Sequence, residues 1–397
     1  MATADVGNGV AYVAADRVDA RLSLWPASRY ITEVFDGADE ALAALDAVQR
    51  GLVSTGFQTL DWLTAFYEEI APAQRTMPRL VVVTERSSGD VALVLPLLIQ
   101  KKRRQTVARF ANLGVAAYGG PILGPACPVR RSAIRRIWRS AMRAMRDVDL
   151  LRLDHMTAEI GGAPNPLMAC RGIANARSTA NLLIIPEGVD AYLNGLGKKY
   201  RKDVERCYRL WEKQGAPRFI RAETPEQAAH IYAVLEEQLS PRQGATGNKR
   251  AFDEPSYRAF CERLAIDGSE AGLASLFALE ADGEIAATLF GIVHDDTFTM
   301  LHLGTGTAWS HLSPGRLVMI EAMKYFIARG VRRFDLGPGD HPFKHGFGVK
   351  RVPLYDLIVA RNLAASPYAM YHRLSARLPK PLRLKDAYRL LKSRFPR

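Results

Sequence analysis

The chain has 397 residues, 48% hydrophobic and 24% charged, which fits two or three domains with cores of their own and excludes a disordered or fibrous protein. The formal net charge is +13, but residues 364–397 hold nine Lys/Arg and one acid, so the excess is largely C-terminal and argues against a body built to bind a polyanion. Cys127, Cys170, Cys207 and Cys261 lie far apart with no C-x-x-C pair, which argues against a compact zinc site and for reduced thiols in a cytoplasmic protein.

Residues 1–28 read as an N-terminal extension; "MATADVGNGVAYVAADRVDA" lacks the basic-then-apolar pattern of a signal peptide. Residues 80–100, "LVVVTERSSGDVALVLPLLIQ", set two β-rich apolar runs around a polar turn and predict an antiparallel hairpin. A further strand, Thr106–Leu113, follows. The uncharged run Phe110–Val129 is 20 residues long, but its four glycines and three prolines predict a turn-rich loop beside a site, not a spanning helix. A helix over Val129–Arg146 and the strand "VDLLRLD" complete this unit. Next, "NGLGKKYRKDVERCYRLWEKQG" (residues 194–215) spaces Val204, Tyr208 and Trp211 along one helical face. Its cations Lys198, Lys199, Arg201 and Lys202 read either as a solvated face or as a basic lip near an anionic ligand.

Residues 274–293 repeat the hairpin design around "EADGE". A strand (Thr297–Gly304), a loop, a helix (Pro314–Arg329) and the strand "VRRFDLG" follow in the same order as before. That order implies a duplication. The fold class is therefore α/β (α+β), with two tandem units, each a mixed, mostly antiparallel sheet flanked by helices. The units are assigned to residues 29–180 and 181–362, with a basic amphipathic tail over 363–397.

Ser313-Pro314-Gly315 opens the second unit's helix. Serine is a preferred N-cap, and proline at the first position loses a bond it would not have made. Gly315 admits a ligand close to the backbone, and Arg316 adds a permanent charge. Free amides and the helix dipole at that mouth favour a phosphate. Ser-Pro-Gly also starts helices that bind nothing. From Leu317 to Ala328 only Glu321 and Lys324 are polar, so the helix is expected to be mostly buried.

The stretch "LGTGTAWSHLSPGRLVMIEAMKYFIARGVRRFDLGPGDHPFKHGFG" resembles the GNAT-like acyltransferases grouped with CelD of cellulose biosynthesis, relatives of the Fem-type peptidoglycan transferases. The shared features are Ser313-Pro314-Gly315, Gly330, Phe334-Asp335-Leu336-Gly337 and Phe343-Lys344. "ALVLPLLIQ", "YGGPILGP" and "KKYRKDVERCYRL" are similar to that group too. The resemblance spans about residues 55–360, with its specific motifs in the second half. The usual GNAT pyrophosphate loop, Q/R-x-x-G-x-G/A, is missing. What the resemblance implies is two GNAT-like domains and an acyl-CoA co-substrate held at Ser313, Gly315 and Arg316.

Acyl transfer needs a proton acceptor for the nucleophile, a cradle for the oxyanion and a leaving group. His302, in "TMLHLG", reads as a base or as a hydrogen-bonded strand histidine. Asp335 ends its strand, where open sheets place ligands, and reads as catalytic or as a turn cap. Lys344 reads as a phosphate or oxyanion ligand, or as a surface lysine paired with Asp340. Within the apolar helix, Glu321 is expected to pair with Lys324. His341 and His345 are four apart, but Pro342 and Gly346 break the segment and no third ligand is near, so no metal is expected.

The tail mixes leucines and tyrosines with cations, as a membrane-surface segment does, or as a helix packed on the body does. No nucleic-acid module accompanies it. The expected activity is an acyl-CoA-dependent N-acyltransferase on the inner face of the cytoplasmic membrane. A long-chain amine is the favoured acceptor, since bacterial ceramide synthases belong to the same broad group. The alternatives are acyl or aminoacyl transfer to an exopolysaccharide or envelope precursor, and a non-catalytic binding protein.

Overall fold

The computed structural model describes residues 29–102, 105–185, 188–246, 254–363 and 365–375. The extension expected over residues 1–28 and the tail beyond 375 lie outside the described residues.

In the first unit, β1 (Tyr30–Asp36) leads into α1 (Ala38–Val48) and α2 (Leu60–Ala65), which a π-helical turn at Phe66–Ile70 prolongs. The expected hairpin is β2 (Met77–Glu85) and β3 (Val91–Lys102), and β4 (Gln105–Phe110) continues the antiparallel meander. A short β5 (Ile122–Leu123) adds to β3. Then α3 (Arg131–Ala144), which buries Ile134, Ile137 and Ala141, carries the chain to β6 (Leu150–Met156), parallel to β4. The last strand of this half is β7 (Ile173–Ile184).

The second half begins with α4 (Val189–Gly195) and α5 (Lys198–Trp211). After β8 (Arg218–Arg221) come two helices, α6 (Pro225–Thr246) and α7 (Pro255–Glu270). The second hairpin is β9 (Ala274–Ala281) and β10 (Glu284–His294). Its turn residues Asp282 and Gly283 take φ of 51° and 78°, which the two-residue hairpin turn requires and which Asp-Gly adopts readily. β11 (Thr297–Thr305), α8 (Pro314–Ile327) and β12 (Arg333–Asp335) form the expected parallel step. α9 (Pro342–Gly346), β13 (Lys350–Ala360) and α10 (Ser366–Ser375) follow.

The duplication is visible as two meanders, each followed by a parallel β-α-β step. The halves are joined by exchange. β7 leaves the first unit and pairs with β12 of the second, Leu182 opposite Asp335. β13 leaves the second and pairs with β6 of the first, Tyr355 opposite Met156. The exchanged strands also pair with each other. One sheet results, in the order β1-β2-β3-β4-β6-β13-β7-β12-β11-β10-β9-β8, with β5 beside β3. The boundary drawn at 180/181 falls inside β7, so backbone bonding crosses it. The core crosses it as well. Trp62 of α2 and Phe66 beyond it pack edge-on against Phe260 of α7, with ring centroids 5.0 and 6.1 Å apart.

α8 is buried on nearly every side, as its composition predicts. Phe326 meets Phe298 of β11 at 4.7 Å and Phe334 of β12 at 5.7 Å. These contacts fix the helix over two strands that soon separate. Parallel pairing of β11 with β12 ends at Thr299 opposite Asp335, while β11 runs on to Thr305. On the other side of β11, Phe290 faces His302 and Gly291 faces Met300, so Leu301 is an extra residue that bends the strand. The sheet therefore opens at the C-terminal end of β12.

Candidate active site

A cavity of about 1010 Å³ lies where β11 and β12 part. The second unit lines it with β11, the mouth of α8, the turn after β12, and α9. The first unit contributes His155 and residues 114–117 of the loop after β4. Part of the uncharged run thus borders this cavity.

Ser313, Gly315 and Arg316 all lie on the cavity wall. Ser313 departs from the expected N-cap. It takes a left-handed backbone (φ 54°, ψ 46°), and its hydroxyl makes no cap bond. Its carbonyl instead accepts from the Arg316 N–H at 3.0 Å. At Gly315 a Cβ would meet Thr305 Oγ1 at 2.9 Å and Leu303 beyond it, so the missing side chain lets α8 press onto β11. Arg316 is not a free charge. Its guanidinium pairs with Asp203 of α5 and lies 4.7 Å from the centroid of the Tyr200 ring. That bond holds the Asp203 carboxyl below the usual range. Tyr200 also lines a neighbouring cleft of about 740 Å³ formed by α5, where Lys198, Lys199 and Lys202 stand together. Three of the four lip cations are therefore grouped beside the cavity, and Arg201 points toward Glu205 at 3.8 Å.

Lys344 lines the cavity, and Asp335, just before the lining residues Leu336 and Gly337, helps it clasp the turn after β12. Asp335 is buried and accepts the Gly337 N–H at 2.8 Å. Burial pushes its carboxyl up to about 6. The Tyr118 hydroxyl, from the first unit, faces the same carboxyl but falls short of hydrogen-bond geometry. Lys344 is not the surface lysine paired with Asp340 that its sequence context allows. It is 4% exposed and donates to the carbonyls of Gly337 and Pro338 at 3.1 and 2.9 Å. Burial pushes its ammonium down to about 8. Asp340 pairs with His345 at 2.6 Å and with Arg351 at 3.5 Å.

The third member of the clasp was not visible in the sequence. Asn181 of β7 is 1% exposed, and its amide donates to the carbonyls of Gly337 and Gly339 at 2.8 and 2.7 Å. No local pattern marks it, because its partners are more than 150 residues away. Asn181→Leu strands the Gly339 carbonyl and is expected to lower stability by about 2 kcal/mol. Urea unfolding checks this, and a midpoint unchanged from wild type would remove Asn181 from the clasp.

His302 is half-buried on the cavity wall, with Nε2 2.9 Å from the Tyr257 hydroxyl of α7. Burial pushes its imidazole down to about 4 and the Tyr257 hydroxyl well up, so the pair is neutral at neutral pH. A histidine so hard to protonate is a weak proton acceptor. Glu321 accepts from Lys324 at 2.7 Å, as expected, and also from Tyr208 at 2.6 Å.

Residues 198–345 match the family described as "Acetyltransferase (GNAT) domain". The match covers less than half of the chain, and the fold is GNAT-like. The matched segment contains α5, the mouth of α8, the parting strands, Asp335 and Lys344, but not Asn181. The match supports an acyltransferase. Among solved structures, FemX is similar over 85% of this chain and 98% of its own, at 15% identity and a TM-score of 0.57. A chain assigned as the C-terminal domain of a lysylphosphatidylglycerol synthetase from Agrobacterium fabrum is similar over 84% and 95%, at 16% identity and a TM-score of 0.50. Both likenesses extend beyond the matched segment into the unit before it, and both concern the fold. No curated protein matches the chain in sequence.

Proposed function

We propose that the protein transfers an acyl or aminoacyl group from a phosphate-bearing activated donor to an amine on a polar cell-envelope precursor. The observation that carries this reading is the cavity at the mouth of α8, where Tyr200, Tyr257, His302, Ser313, Arg316 and Lys344 share the wall with Val115, Leu239, Met300, Leu301, Leu303 and Phe347, so polar groups meet an acceptor within a largely apolar lining. The reading prefers a polar acceptor to the long-chain amine expected from sequence. The names of the two similar structures agree with it: one is FemX, and the other carries the name of a synthetase for a lysyl-bearing phospholipid.

The residues present fit a donor such as acyl-CoA. The mouth of α8 bears no side chain at Gly315, and Lys198, Lys199 and Lys202 line the adjoining cleft with positive charge. When bound, the donor supplies an activated carbonyl and a good leaving group. Ser313, Gly315 and Arg316 position its phosphates, with Arg316 held in place by Asp203 and Tyr200. Asp335, Lys344 and Asn181 hold the turn that shapes the reaction chamber. His302 and Tyr257 present a neutral, hydrogen-bonded wall to the acyl carbonyl.

The test is incubation of purified protein with acyl-CoAs from acetyl to palmitoyl and with aminoacyl-tRNAs, against amino-phospholipid, amino-sugar and long-chain amine acceptors. Products are identified by mass. Transfer to a polar amine is the expected result, and transfer to long-chain amines alone would overturn the reading.

No helix among the described residues is long and apolar enough to cross a membrane. The basic tail supports attachment to an anionic membrane surface. Removing residues 376–397 is expected to reduce sedimentation with phosphatidylglycerol vesicles about tenfold while sparing α10, whose Ala369 packs in the core. Undiminished sedimentation would assign the tail no such role.

A further inference from the structure

The transfer cavity holds a histidine from the other unit. We infer that His155 takes the proton from the attacking nucleophile; this rests on reading the cavity as the transfer site.

The backbone around His155 is built to aim it. Against β13, Leu153 faces Leu357 and Met156 faces Tyr355, so Asp154 and His155 together oppose the single residue Asp356. This is a bulge, a feature that redirects a side chain. His155 takes φ 57°, an uncommon backbone for a residue other than glycine, although histidine, asparagine and aspartate adopt it more often than the rest. Two bonds hold it there. Its N–H donates to Asp356 Oδ1 at 2.9 Å, and its carbonyl accepts from the Gly119 N–H at 3.3 Å. At Gly119 a Cβ would fall 2.8 Å from the Asp154 carbonyl, so only glycine lets the loop come this close. A disfavoured backbone fixed from two sides is the kind of strain found where a side chain must be held in one place. Here the result is an imidazole on the cavity wall, half-buried.

The other groups on the wall suit the task less well. His302 is engaged by Tyr257, and burial disfavours its protonation. The Lys344 ammonium is spent on two carbonyls. Arg316 cannot accept a proton. His341 is exposed at the rim beside Phe343, with no comparable device to hold it.

The step balances as follows for a thioester donor. The amine lone pair forms the new carbon–nitrogen bond, and the carbon–sulfur bond breaks with its electron pair leaving on sulfur. One amine proton passes to the His155 imidazole, which returns it to the departing thiolate, giving an amide and a thiol.

The test uses His155→Asn, because asparagine tolerates the left-handed backbone and keeps both main-chain bonds but cannot act as a base at neutral pH. The expected result is a fall in kcat of about 100-fold or more, with KM for the donor within about twofold and an unchanged melting temperature. His155→Gly relaxes the strain and is expected to regain activity on addition of imidazole, which leaves the wild type unaffected. A folded His155→Asn with near wild-type kcat, a glycine variant that imidazole does not rescue, or a comparable loss with His341→Asn instead would overturn the inference. Should the asparagine variant fail to fold, the glycine variant and its rescue decide. If the wild type binds no acyl-CoA by calorimetry and transfers no group from any donor, the reading of the cavity itself falls. Transfer by the wild type with an active His155→Asn overturns the role of His155 alone.

Discussion

Replacing Gly315 with glutamate is expected to abolish donor binding and to lower kcat/KM by about 1000-fold, equivalent to about 4 kcal/mol. The position is buried at the mouth of α8, on the cavity wall, with Thr305 Oγ1 and Leu303 as its nearest neighbours. A glutamate there must lean into the cavity and put a negative charge where the donor's phosphates would rest. Like charges brought together in a partly desolvated site cost several kcal/mol. The substitution should not unfold the helix, because an acidic residue in the first turn complements the dipole. Gly315→Ala separates the packing effect. Its Cβ would fall 2.9 Å from Thr305 Oγ1 and 3.6 Å from Leu303, so Thr305 must shift and alanine should lower stability while leaving most donor affinity intact. Calorimetry with an acyl-CoA, beside thermal melts of both variants, checks this. Undiminished affinity in the glutamate variant would move the phosphate site elsewhere.

A fragment of residues 188–375 is expected not to form a stable folded monomer, although it contains the whole segment that matches the GNAT family. Without β7, both the outer edge of β12 and one side of β13 lose their partners. The other side of β13 loses β6, and Phe260 loses Trp62 and Phe66. Bare strand edges and an uncovered aromatic cluster favour aggregation. Co-expression with residues 29–187 should restore a soluble, folded complex. Circular dichroism and gel filtration distinguish the two results. A monomeric fragment with a cooperative melt would show that the exchanged strands are dispensable.

The mouth of α8 was the most legible part of the candidate site, and its residues do lie on one cavity. What the motif could not show was how each of them is used. Ser313 looks like a cap and is a left-handed residue with a free-standing side chain. Arg316 looks like a bare charge and is tied to Asp203, because α5 happens to cross α8 there. Lys344 reads as an anion ligand or a surface lysine and is buried on two carbonyls. In each case the side chain's chemistry was plain from the sequence, and its partner came from an element remote in the chain.

The amino-acid sequence by itself determined the two hairpins, the buried character of α8 and the repeated order of elements. These depend on alternation, helical spacing and turn residues, which act over a few neighbours. Tertiary structure alone decided that the two units trade strands, that Asn181 clasps a turn more than 150 residues away, and that His155 faces the other unit's chamber. β7, with its Ala, Asn, Ser and Thr, carries little local signal as a strand and is stabilised by pairing on both sides. Contacts of that range are set by how the whole sheet assembles, so they leave no periodic mark in the residues that make them.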